Sequence, residues 1–72
     1  MTMNEIMLGE YKLVLDNAFW MAYYVYLHNE MVGWVSFFDN MSLYRIYSND
    51  TDLITQLLLK YQTTPKFKIY PY

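Results

Sequence analysis

Phe19-Trp20-Met21-Ala22-Tyr23-Tyr24-Val25-Tyr26-Leu27-His28, with Met31-Val32-Gly33-Trp34-Val35-Ser36-Phe37-Phe38 after it, is the stretch that decides how this chain folds. It is dense in β-branched and aromatic residues, which suit a pleated surface. In a strand, alternate residues face opposite sides. The first half therefore sends Met21, Tyr23, Val25 and Leu27 one way and Ala22, Tyr24 and Tyr26 the other. The second half sends Gly33, Val35 and Phe37 one way and Val32, Trp34 and Phe38 the other. A sheet with one wet face alternates apolar with polar residues. Here both faces are apolar or aromatic, so both need a cover.

Outward from these two strands, Asn and Asp punctuate the chain at Asp16-Asn17, Asn29, Asp39-Asn40 and Asn49-Asp50. Both residues tolerate left-handed backbone and bond their own main chain, so they mark tight turns. Turn signals at this spacing between β-rich segments predict a meander. Asn29-Glu30 and Asp39-Asn40 are the expected two-residue hairpin loops. The flanking strands are Glu10 to Leu15, with Tyr11, Leu13 and Leu15 opposite Lys12, Val14 and Asp16, and Ser42 to Tyr47, with Leu43, Arg45 and Tyr47 opposite Tyr44 and Ile46.

The period then changes. Leu53, Ile54, Leu57, Leu58 and Tyr61 form the stripe of an amphipathic helix over about residues 51–62. Asn49, Asp50 and Thr51 can cap its first amides, Asp50 and Asp52 suit the positive end of its dipole, and Lys60 suits the negative end. Thr63-Thr64-Pro65 stops it, because proline pushes the preceding residue out of helical backbone. Lys66 to Tyr70 alternates again as a fifth, C-terminal edge strand. The expected fold is α+β in the order ββββαβ: a four-stranded antiparallel meander, one helix and a last strand. It is read as a single domain over 1–72, with 1–8 poorly ordered.

Composition bounds the rest. Seventy-two residues leave room for one core. The chain is 56% hydrophobic, 21% aromatic and 17% charged, against roughly 45–50% apolar and 25% charged in average domains. That excludes intrinsic disorder, which goes with few aromatics and much charge. With no cysteine, a disulfide scaffold and a cysteine zinc site are excluded. Residues 1–52 hold all seven acids against Lys12 and Arg45, whereas 53–72 hold three lysines and no acid. A net charge of −2 lacks the concentrated positive charge of a duplex-binding protein. Ordinary surface solvation explains the asymmetry.

Ala18 to Phe38 has the length of a membrane span, but His28-Asn29-Glu30 interrupts it. A charge at that depth costs at least ~2.5 kcal/mol. Met1 to Met7 carries Glu5 and no basic residue, unlike a signal peptide. No membrane association is expected, and the absence of cysteine fits the cytoplasm.

No motif names a reaction. His28 is the single histidine, at an expected hairpin tip without a nucleophile or an orienting acid. With Glu30 it falls short of a metal-ligand set. Capping accounts for Asp50 and Asp52, and turns account for Asp16 and Asp39. Gly9 and Gly33 are isolated and form no phosphate-binding loop. The chain is read as a non-enzyme with no catalytic residue, metal or cofactor.

One helix covers one face of such a sheet. The second face is covered by curling into a small SH3-like barrel, by a second copy in a homodimer, or by a different macromolecule. Large exposed apolar patches mark partner sites, and Tyr and Trp are enriched at interfaces. Nine tyrosines and two tryptophans therefore point to binding a larger protein, through Tyr24, Tyr26, Trp34 and Phe38, with Arg45 and Tyr47 beside them. Size and the lack of a catalytic set look like the accessory proteins of phages and mobile elements. That resemblance implies a stoichiometric inhibitor of a host defence or nucleic-acid enzyme. A homo-oligomeric adaptor is the first alternative. A single-stranded nucleic-acid binder stacking bases on the same rings is the second.

Overall fold

A computed structural model describes residues 4–16, 22–38, 43–61 and 66–72. Among these residues, six strands and one helix run in the order β1 (Glu5–Leu8), β2 (Tyr11–Leu15), β3 (Ala22–Leu27), β4 (Glu30–Phe38), β5 (Leu43–Ser48), α1 (Thr51–Lys60), β6 (Lys66–Tyr70). They form one mixed sheet in sequence order β1-β2-β3-β4-β5-β6. The first five are antiparallel neighbours, and β6 lies parallel to β5. A parallel neighbour needs a crossover, and α1 supplies it.

Two expectations are corrected. Glu5–Leu8, placed in a poorly ordered leading segment, pairs with β2 as a sixth strand, with Ile6 and Leu8 packed against the core. Their alternation is only four residues long, too short to stand out in the sequence. The sheet is also open: β1 and β6 are opposite edges, so it is not an SH3-like barrel. The crossover explains this, because it carries the last strand past β5 to extend the sheet instead of returning it to β1.

Turn chemistry sets the register. Leu8 pairs with Tyr11 across Gly9-Glu10, where Gly9 has φ +61°. Leu27 pairs with Glu30 across His28-Asn29, whose φ angles are 51° and 69°. Two positive values in a two-residue loop suit the strand twist. The β3–β4 turn is thus one residue earlier than Asn29-Glu30, because Glu30 is already paired. The expected turn at Asp39-Asn40, the start of the second strand at Phe19–Met21 and the stop at Thr63-Thr64-Pro65 lie outside the described residues.

A bulge breaks the alternation of β4. Val25 pairs with Gly33 and Tyr26 with Met31, leaving Val32 as the extra residue. Such an insertion inverts the facing of what precedes it. Val32, expected beside Trp34, instead packs against the core. At Gly33 a Cβ would meet the Tyr47 backbone oxygen at 2.8 Å, so glycine allows β5 its close approach. The Ser48 hydroxyl donates to the Val32 carbonyl at 2.8 Å and accepts from the Asp50 amide at 3.0 Å, tying the bulge to the start of the helix.

The core lies between α1 and one sheet face. Tyr11, Leu13, Tyr23, Val25, Val35, Phe37 and Ile46 are buried there against Leu53 and Leu57. Tyr23 meets the Phe37 ring edge-on at 6.0 Å, and Tyr61, at the helix C-cap, packs on Phe37 at 5.3 Å. Asp50 caps the helix by accepting from the Asp52 and Leu53 amides at 3.0 and 3.2 Å. Leu57→Ala should cost about 2–5 kcal/mol of stability by leaving a cavity under the helix. Urea unfolding measures this, and a loss below about 1 kcal/mol would mean that α1 does not seal this face.

Candidate functional site

The opposite face carries the candidate site. Sheet register places Tyr24 beside Trp34, Trp34 beside Tyr47, and Tyr47 beside Tyr70, a row of four rings across β3 to β6. Trp34 and Tyr47 are tilted by 58° with centroids 5.3 Å apart, and Tyr47 stacks on Tyr70 at 4.8 Å and 16°. All four are half-buried. Among the described residues no helix crosses this face.

Of the residues expected to contact a partner, Tyr24, Trp34 and Tyr47 come together in this row. Tyr26 lies one step along β3, paired with Met31 and Lys12. Arg45 lies in the neighbouring row, between Ser36 and Lys68. Phe38 ends β4, and its side chain lies outside the described residues.

The structure adds Asp16, Met31, Pro71 and Tyr72, which strand alternation did not select. Asp16, Tyr24, Met31, Trp34, Tyr47, Pro71 and Tyr72 line an open pocket of about 410 Å³. Tyr72 forms one wall and is held in place: its amide donates to Asn49 Oδ1 and its carbonyl accepts from Asn49 Nδ2, both at 3.3 Å. Its hydroxyl donates to the Met31 sulfur at 2.7 Å. Asp16, read as a turn residue, is 7% exposed, and its amide bonds the Ala22 carbonyl at 2.8 Å. The Tyr24 hydroxyl donates to its carboxylate, and this bond, with the charge of Asp16, raises the Tyr24 pKa above its ordinary value. Tyr70 could have been found from its place opposite Phe67 and Ile69. Pocket membership of Asp16 and Tyr72 depends on contacts that no local pattern encodes.

His28, Asp50 and Asp52 have contacts elsewhere in the fold. His28 sits at the β3–β4 turn with Nε2 3.6 Å from Glu10 Oε1, and both side chains are exposed. Among the described residues no three His, Cys, Asp or Glu side chains could together hold a metal ion. Asp50 and Asp52 both accept from the Tyr11 hydroxyl, at 2.8 and 3.1 Å, so this carboxylate pair joins the helix start to β2. Among the described residues no helix is long and apolar enough to cross a membrane.

No protein-family model matches this chain, nor does any curated protein or solved structure.

Tyr11 predicts a pH dependence. Burial first, then its bonds to Asp50 and Asp52, raise its pKa well above the ordinary 10.0. Above pH 10 the unfolded chain therefore releases a proton that the folded chain retains, so stability falls as pH rises. Burial of Tyr23 and the Asp16 bond of Tyr24 act in the same direction. Tyr11→Phe should be less stable at pH 7 and lose stability less steeply above pH 10 in urea titrations. An unchanged alkaline slope would contradict the buried hydroxyl.

Proposed function

We propose that this chain is a small non-catalytic protein-binding module that docks its open aromatic sheet face onto a larger protein. The observation that carries the proposal is the row Tyr24, Trp34, Tyr47 and Tyr70, half-buried on a face that α1 does not cover. Rings of this kind bury much area at low entropic cost and leave a polar tip for hydrogen bonding. A module of this kind acts by occupancy, blocking whatever surface it covers. That mode is the stoichiometric inhibition of a host enzyme expected of phage and mobile-element accessory proteins.

One observation favours nucleic acid as a second reading. Parallel pairing brings Lys68 beside Arg45 and Lys66 beside Leu43, so cations distant in sequence gather next to the rings. The stacking of Tyr47 on Tyr70 at 4.8 Å counts against it, because rings stacked on each other offer fewer free faces to bases. A second copy of the chain covering the same face is the remaining alternative.

Affinity capture from the native cell tests the proposal with wild type, Trp34→Ala and Leu59→Ala in parallel, Leu59 being 65% exposed. Wild type and Leu59→Ala should recover the same larger protein near one-to-one, and Trp34→Ala should lose it. Equal recovery by all three would overturn the proposed face.

A further inference from the structure

The pocket at the Asp16 end of the aromatic row has a chemistry of its own. Four of its seven lining residues are Tyr24, Trp34, Tyr47 and Tyr72, and a fifth, Asp16, is a nearly buried acid. Its volume, about 410 Å³, lies in the range of pockets that hold small ligands, roughly 300–1,000 Å³. Ring faces carry negative potential and attract cations, Trp most strongly. The carboxylate of Asp16 adds a full negative charge to the same wall. Among the described residues no cationic side chain lines the pocket, so an anion would meet repulsion without compensation.

The lining also distinguishes among cations. A plain ammonium carries three N–H donors that need acceptors. The ring faces, the Pro71 ring and the Met31 side chain that make up most of this wall accept no strong hydrogen bond, and Asp16 is the charged acceptor among the described lining residues, with the tyrosine hydroxyl oxygens beside it. A methylated ammonium has fewer donors or none, keeps its charge, and presents methyl groups that suit apolar walls. The wall is also fixed in place, because Asn49 holds Tyr72 through two hydrogen bonds.

We propose that this pocket is an aromatic cage for a methylated ammonium group, the head of a methylated lysine side chain on the protein that the open face engages. The proposal rests on the docking reading above and names what seats deepest in that interface. Tyr24, Trp34, Tyr47 and Tyr72 surround the cation, and Asp16 neutralises it.

The test is titration of the isotopically labelled full chain with Nα-acetyl-Nε-trimethyllysine amide, followed at the Trp34 indole N–H by nuclear magnetic resonance. Two further probes are the uncharged carbon isostere of that compound and the unmethylated lysine amide. The trimethylated probe should shift the Trp34 signal saturably and bind at least about fivefold more tightly than either. Asp16→Asn keeps the size of the side chain and an oxygen to accept from Tyr24, so it should stay folded and weaken binding about three- to tenfold. Trp34→Ala, followed instead at the backbone amides of Tyr24 and Tyr47, should abolish binding. Equal binding of the uncharged isostere or of unmethylated lysine, or no saturable shift, would overturn the cage. If Trp34-dependent capture of a partner persists while the probes fail, the cage falls and the docking face stands. If both fail, both readings fall.

Discussion

A single helix of ten residues is about 15 Å long and 10 Å across. Six strands at about 4.8 Å spacing make a sheet roughly 24 Å wide. One such helix can seal the middle of one face and no more. Leu53 and Leu57 do so, burying the inward residues of β2 to β5. Everything distinctive about the molecule follows from the face left over. Beside Ser36, Arg45 and Lys68 it carries a row of three tyrosines and a tryptophan, and among the described residues no barrel closure hides them.

The devices that position those rings are local and inexpensive. The His28-Asn29 turn and the bulge at Val32 set the register of β3 against β4. The bulge turns Val32 inward while leaving Met31 on the open side with Tyr26. Gly33 lets β5 come close, which places Tyr47 beside Trp34. The crossover through α1 then adds β6 in parallel, and Tyr70 stacks on Tyr47 as a result. The same connection brings Tyr72 back to Asn49, just ahead of the Asp50 cap, so one corner of the fold both starts the helix and walls the pocket.

Much of this was legible in the sequence. Period-two alternation gave the correct facing of Tyr23, Tyr24, Val25, Tyr26, Trp34, Val35, Arg45, Ile46 and Tyr47. The leucine spacing with Asp50 located the helix to within two residues at its end. The failures share a cause. Glu5–Leu8 has too few residues to show a period, Val32 sits where an extra residue resets the period, and the openness of the sheet depends on which edge β6 joins. The pocket was less visible still: Asp16 and Tyr72 lie far apart in the chain, and their roles arise only when strand order brings them to the same corner.

Covalent footprinting of the isolated monomer with hydroxyl radicals, its state fixed by light scattering, measures the central claim most directly. Tyr24, Trp34 and Tyr47 should be oxidised well ahead of Tyr11 and Tyr23, which are 3% and 5% exposed. If the monomer protects Trp34 and Tyr47 as fully as Tyr11 and Tyr23, the face is already covered from within, and the account built on its exposure is wrong.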